Sequence, residues 1–379
     1  MRRLPLLFVA VLALAACNAN KKENLEAPAE LLEFTPTVQV SRLWERDLGK
    51  GERSLGLRLS PAVADGHVFA LDPKGRLHAF DATSGSQAWE IKEDLRFSGG
   101  PGVGEGTLVV GTLDGDVIAY SPDSGTERWR ARVSSEVIAA PVVSRGIVVV
   151  RSIDGRAFGF NLTDGERRWV YDRGIPALTL RGNSAPAVGN GLAVLGYDSG
   201  VIVALRIEDG TPAWERQVAV GEGRTELDRM VDIDGTMVID GDSLFAATYN
   251  GEAVALSLNG GQSIWNRELS SYAGVALAGE RVVVGDRDGT LWMLDRSTGA
   301  ALWKQEALAY RWLTTPAIQG DYAVVGDLEG YLHWFALEEG KPAARMRLSR
   351  QALLGEPKVV DGVLFVQSSK GKLAAYRIN

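Results

Sequence analysis

One cysteine, three histidines and no surplus of positive charge set the first limits on this chain. Cys17 stands alone, which excludes an internal disulfide and any thiolate-rich zinc or iron–sulfur centre. His67, His78 and His333 are scattered along the sequence, which argues against a histidine metal site. The 41 basic residues are outnumbered by 48 acidic ones, for a net charge of −7. A nucleic-acid binder needs a basic stripe, so no nucleic-acid partner is expected. There is no Walker loop, Gly-x-Ser-x-Gly elbow or His-Glu-x-x-His sequence. No two carboxylates stand at a known acid–base spacing either. These absences predict a protein that is not an enzyme, with no metal and no cofactor. Long apolar runs are missing as well. Leu4 to Ala16 is a run of 13 residues broken by Pro5, short of the ~20 that cross a bilayer as a helix.

That run follows Arg2 and Arg3 and fits the apolar centre of a secretory leader. It ends Leu14-Ala15-Ala16-Cys17, which resembles a bacterial lipobox. The resemblance implies a leader over 1–16 and acylation (palmitate) of Cys17, whose several chains would hold the protein to a membrane. The alternative is an ordinary leader that happens to contain a cysteine. Asn18 stands where Asp would signal inner-membrane retention, and so resembles an outer-membrane address. Residues 17–39 are polar, with Lys21, Lys22, Glu23, Pro28 and Pro36, and read as the lipidated cysteine and a flexible tether. Losing Arg2 and Arg3 with the leader would bring the charge to −9.

Glycine, by contrast, is abundant at 44 residues, and its positions repeat. A turn glycine recurs at Gly75, Gly115, Gly155, Gly200, Gly251, Gly289, Gly330 and Gly371. Each copy holds three alternating apolar runs separated by glycine turns, then a fourth run carrying a tryptophan. Alternation at period two predicts strands, and glycine turns predict hairpins because tight connections need positive φ. Four antiparallel strands every ~40–45 residues make a propeller blade. The expectation is an all-β chain, with residues 40–379 forming one eight-bladed β-propeller. The last copy has no tryptophan strand, whereas Val40-Ser-Arg-Leu-Trp44 is such a strand without a blade. Residues 40–48 should therefore complete blade eight and close the ring. In blade seven Ala344 stands where the tryptophan is expected, so that edge should pack less tightly.

The segments Ala79-Phe-Asp81-Ala-Thr-Ser-Gly85-Ser-Gln-Ala-Trp89 and Met293-Leu-Asp295-Arg-Ser-Thr-Gly299-Ala-Ala-Leu-Trp303 resemble the tryptophan-docking motif of quinoprotein-type propellers with PQQ-like repeats. Two readings compete: a quinone platform, or packing between blades. Trp44, Trp89, Trp129, Trp169, Trp214, Trp265 and Trp303 recur in seven copies, which favours packing, since no protein needs seven cofactors. A quinoprotein enzyme of this shape commonly carries a vicinal disulfide and long insertions, both missing here. Gly100-Pro-Gly102-Val-Gly104-Glu-Gly106 opens no helix and reads as a turn. Asp286-Arg-Asp288-Gly289 resembles the start of a calcium loop but aligns with a hairpin turn and lacks the downstream Glu.

The informative variable is the link from each outer strand to the next blade's inner strand, because all links emerge on one face of the disc. The links 169→186 and 214→236 flank blade four and are long, at 17 and 22 residues. The first contains Ile175-Pro-Ala-Leu178-Thr-Leu180-Arg181; the second contains Asp228-Arg229-Met230-Val231-Asp232-Ile233-Asp234. Leu178 and Leu180 read either as a satellite core or, with Arg181, as a partner anchor. The alternating acidic loop reads either as solvated or as the counterpart of basic groups on a partner. Tyr310-Arg311-Trp312 is a faint hint of a sugar- or peptidoglycan-binding surface.

Lipobox, tether, docking-motif propeller and these two links together resemble the BamB (YfgL) family, a lipoprotein subunit of the machinery that inserts β-barrel proteins into the bacterial outer membrane. The resemblance covers essentially the whole mature chain. It implies a non-catalytic scaffold, anchored on the periplasmic side of the outer membrane. It also implies docking to the periplasmic POTRA domains of BamA through Leu178, Leu180, Arg181, Asp228, Arg229, Asp232 and Asp234, within a complex of other BAM subunits. Strand-edge pairing with unfolded barrel strands is a second mechanism it allows, a less favoured one because the outermost strands are short.

Overall fold

A computed structural model describes residues 26–49, 51, 56–174, 184–221, 224–225 and 229–379. Among the described residues there is no α-helix, and 32 strands assemble into eight four-stranded antiparallel sheets. In each sheet the alternation noted above puts one apolar row on each face, and both faces are covered by neighbouring blades. Inner strands touch in sequence order from blade one to blade eight, and the inner strand of blade eight, Lys358–Val360, touches that of blade one, Ala62–Ala64. The ring is therefore closed. Eight apolar clusters fill the interfaces, each drawn from two successive blades.

Closure occurs where the sequence predicts it. Val40–Asp47 pairs antiparallel with Lys372–Ile378, so the first strand is the outer strand of the last blade. The hairpin turns follow one pattern. Asp72, Asp286 and Asp327 each accept backbone N–H bonds from residues two and four further on, and Thr112 does the same through its hydroxyl. Asp286 spends its other oxygen on Trp292 Nε1 at 2.9 Å, so the calcium-like sequence is a hairpin turn, as expected.

Each tryptophan sits beside a bulge in its outer strand, which turns the ring toward the next blade. There its Nε1 donates to a backbone carbonyl at 2.7–3.0 Å, in seven interfaces. The ring lies on the glycine of that blade's last turn: Gly85, Gly125, Gly165, Gly210, Gly261, Gly299 and Gly340, all at φ of 67–72°. A Cβ there would stand 2.5–2.8 Å from the ring. Glycine is required twice over, for its conformation and for the space it leaves.

Two expectations are corrected. Blade seven is not loosely packed at Ala344, which is buried. The tryptophan is missing because its receptor is missing: the turn that would receive it lies in blade eight, where the chain ends replace it. Trp334, on the neighbouring strand opposite Ala344, fills the interface instead and packs with Tyr376. Its Nε1 donates to Gln319 Oε1 at 2.8 Å, and Gln319 donates onward to the carbonyls of Gly362 and Tyr376 in blade eight. The run Gly100–Gly106 is also not all turn. Gly100 to Gly104 belong to the inner strand Phe97–Gly104, and only Glu105 and Gly106 turn. A Cβ on Gly102 would lie 1.9 Å from the Pro141 carbonyl, so these glycines let blade two approach blade three where the ring narrows.

The segment expected to be a tether makes contacts in its described part. Ala29 N–H donates to the Ala309 carbonyl at 2.9 Å, and Thr37 N–H to the Ala343 carbonyl at 2.9 Å.

Candidate functional site

All links between blades leave on one side of the disc, hereafter the link face. Leu178, Leu180, Arg181 and Asp228 lie outside the described residues. Of the second long link, 222–223 and 226–227 also lie outside the described residues. Gly221 and Arg229 meet, since a Cβ on Gly221 would strike the Arg229 carbonyl at 2.1 Å, and Arg229 is exposed. Met230 to Asp234 are buried. The expectation of an exposed acidic strip is therefore corrected for Asp232 and Asp234, which are 0% and 4% exposed.

The reason is local. Val231 and Ile233 alternate with the two aspartates and pack over Gly200 and Gly196 of blade four, where only glycine leaves room. The Asp232 carbonyl accepts Tyr249 N–H at 2.9 Å from blade five. The same bond ties Arg96, Glu136, Ser270, Arg311 and Ala352 to the turns of their own blades. Asp232 is thus a repeat position at which the link is stitched down. Sequence alternation showed that two faces differ, but not that both would be covered.

Around Asp234 lies a knot of buried charge. Arg151 is buried and reaches Asp198 at 3.2 Å. It also donates to the Gly196 carbonyl, and its guanidinium lies 4.7 Å from the centre of the Tyr197 ring. Arg173 covers Tyr197 at 5.6 Å. Burial raises the Asp198 carboxyl, with Arg151 opposing the shift. Among the described residues no cation pairs with Asp234. Arg58, the nearest opposing charge in effect, donates to the Tyr272 carbonyl at 2.8 Å and lies 5.6 Å from the Tyr272 ring. Neither Asp234 oxygen has a hydrogen-bond partner among the described residues. Its carboxyl is pushed up to about 7, first by burial and then by the charges of Asp232 and Asp198, against the pull of Arg58 and Arg151.

Asp234 also lines the central channel, a cavity of about 1000 Å³. Pro61, Pro101, Pro141 and Pro186 mark its wall at four blades, with Arg58, Tyr272, Thr315 and Glu356 among the polar lining. No group of His, Cys, Asp and Glu able to hold a metal occurs among the described residues. His67 and His78 belong to blade one and His333 to blade seven. The sequence pointed to Asp234 through its place in a long link and through the family resemblance; its burial against the channel depends on other parts of the fold.

A family model described as outer membrane protein assembly factor BamB matches residues 39–96 and 73–305. The chain belongs to the BamB family. Outer membrane protein assembly factor BamB of Pseudomonas aeruginosa is 48% identical over 372 residues, covering 98% of each chain. That of Xanthomonas campestris pv. campestris is 46% identical over 396 residues, covering 100% of this chain and 98% of the relative. The Escherichia coli K12 relative is 36% identical, with 96% of each covered. Among solved structures, BamB from Moraxella catarrhalis has a TM-score of 0.81 at 27% identity, over 89% of this chain and 100% of that one. A quinohemoprotein alcohol dehydrogenase from Comamonas testosteroni scores 0.71 at 14% identity, over 89% and 76%, and shares the fold alone.

Proposed function

We propose that this chain is a non-catalytic scaffold lipoprotein of outer-membrane protein assembly. It is made with a leader over 1–16, acylated at Cys17, and held on the periplasmic side of the outer membrane. Its link face docks on the POTRA domains of BamA beside other BAM subunits. The full-length similarity to curated BamB assembly factors carries this reading. Leu178, Leu180, Arg181, Asp228 and Arg229 are the contact residues. Asp232 and Asp234 act from below: they are buried where the second long link is stitched to blade five.

The test is co-purification with BamA from detergent-solubilised envelopes. Arg181→Glu or Leu180→Asp should abolish it while leaving thermal stability nearly unchanged. Retained binding would remove the docking assignment; a large loss of stability would make the leucines a satellite core instead. A second reading draws on Asp234, since a carboxyl titrating near neutrality beside a cavity also suits a ligand-binding or catalytic channel. Protein purified with a bound chromophore or calcium would favour it.

A further inference from the structure

We propose that residues 29–38 are a strap built into the propeller, and that this strap turns the link face toward the lipid surface. The second half rests on the reading of Cys17 as an acylated anchor. The strap runs along the outer edge of blade seven, the one blade whose outer strand carries no tryptophan. It is held at both ends and in the middle. Ala29 exchanges two bonds with the link between blades six and seven: its N–H donates to the Ala309 carbonyl at 2.9 Å, and its carbonyl accepts from Arg311 Nη1 at 2.8 Å. Leu31 packs on the cluster of Leu308 and Leu313. Arg345 donates to the Leu32 carbonyl at 3.1 Å and covers the Phe34 ring at 5.0 Å. Thr37 and Val38 both donate to the Ala343 carbonyl, at 2.9 and 3.4 Å, and Val38 joins the Trp334 cluster.

The receptor is prepared for this. Arg311 is buried, its Nε on Asp327 at 2.8 Å and one Nη on Glu329, which leaves the other Nη for the strap. Tyr310 and Trp312 on either side of it sit at φ of 58° and 51°, a conformation bulky residues rarely adopt. Both aromatic side chains are exposed, Tyr310 at 37% and Trp312 at 54%, Trp312 at the edge of the central channel. The strap replaces the blade-eight turn that would otherwise bury this edge.

Its consequence is a short leash. From Cys17 to Ala29 there are 12 residue steps, at most ~42 Å when fully extended, against ~80 Å if the chain were free to residue 40. The leash begins on the link face, beside two exposed aromatic rings of the kind that settle at a membrane–water boundary. The face that docks the partner is thus the face held near the headgroups.

Two measurements test this separately. In the first, Glu-C cleavage at Glu33 is timed for the whole soluble chain. The strap substitutions Leu31→Asp and Phe34→Asp, which leave the blades intact, should speed cleavage at least ~10-fold. Equal rates in wild type and variants would overturn the strap. In the second, the acylated protein is placed in phosphatidylethanolamine–phosphatidylglycerol vesicles carrying a headgroup quencher. A fluorophore on Asp288→Cys, on the link face, should be quenched at least ~3-fold more than one on Asp321→Cys, on the opposite face of blade seven. Equal or reversed quenching would overturn the orientation. Protein that fails to join vesicles yet resists Glu-C would sink the anchor reading and the orientation with it, and leave the strap standing.

Discussion

Replacing Asp234 by asparagine should stabilise the protein at alkaline pH and do little at acid pH. The carboxyl is pushed from an ordinary 3.8 to about 7, chiefly by burial. A raised carboxyl keeps its proton in the native state while the unfolded chain has already lost it. Stability therefore falls as pH rises from about 4 to about 7, and is flat above, where both states are ionised. Three pH units at ~1.4 kcal/mol each put the full penalty at about 4 kcal/mol, an upper figure because the site can relax or admit water. Asparagine has the same shape and cannot ionise. Urea unfolding of wild type and Asp234→Asn at pH 4.5, 6 and 8 gives the difference at each pH. Comparing the two proteins cancels the titrating groups that do not interact with Asp234, leaving its own shift and its coupling to Asp232 and Asp198. The variant's relative stability should climb by a few kcal/mol between pH 4.5 and 8. A difference that stays constant with pH, or shrinks as pH rises, would refute the burial of an Asp234 carboxyl whose native state holds its proton to near neutrality.

The docking interfaces supply two further predictions. Trp129→Ala should cost ~3–5 kcal/mol, as for a large buried side chain. Gly165→Ala should be destabilising on its own, because a Cβ would sit 2.5 Å from the Trp129 ring at φ +72°. In the Trp129→Ala background the clash disappears and Gly165→Ala adds only its backbone strain of ~1–2 kcal/mol, so a double-mutant cycle by urea unfolding should show coupling. Ala344→Trp should restore no missing interaction. It should destabilise by ~1–3 kcal/mol in thermal unfolding, because Trp334 already fills the space and no glycine turn waits in blade eight.

Much of the fold was legible because it is built from a repeated local code. The glycine at a left-handed turn and the tryptophan that lies on it are one device, so finding both at a fixed spacing announces a blade. Closure was legible from Trp44, a docking residue without a blade. What stayed hidden were substitutions of one part for another. Ala344 reads as a defect until blade eight is seen to lack the turn that a tryptophan would need. Residues 29–38 read as tether because the charged and proline residues of 17–39 dominated, while the few apolar side chains that hold the segment, Leu31, Phe34 and Val38, are too sparse to mark a strand. At the candidate site, Leu178, Leu180, Arg181, Asp232 and Asp234 were visible as unusual residues in long links. The burial of the two aspartates was not. It depends on Gly196 and Gly200 in a neighbouring blade, and no spacing within the link encodes that.

The proposed docking of the link face on BamA is open to photo-crosslinking. A crosslinking residue at Arg229, exposed on the link face, is compared with one at Asp65, on a hairpin tip of the opposite face. Irradiation of intact envelopes should join the Arg229 variant to BamA within its POTRA domains and leave the Asp65 variant unjoined. Crosslinks to BamA from Asp65 and none from Arg229 would contradict the account.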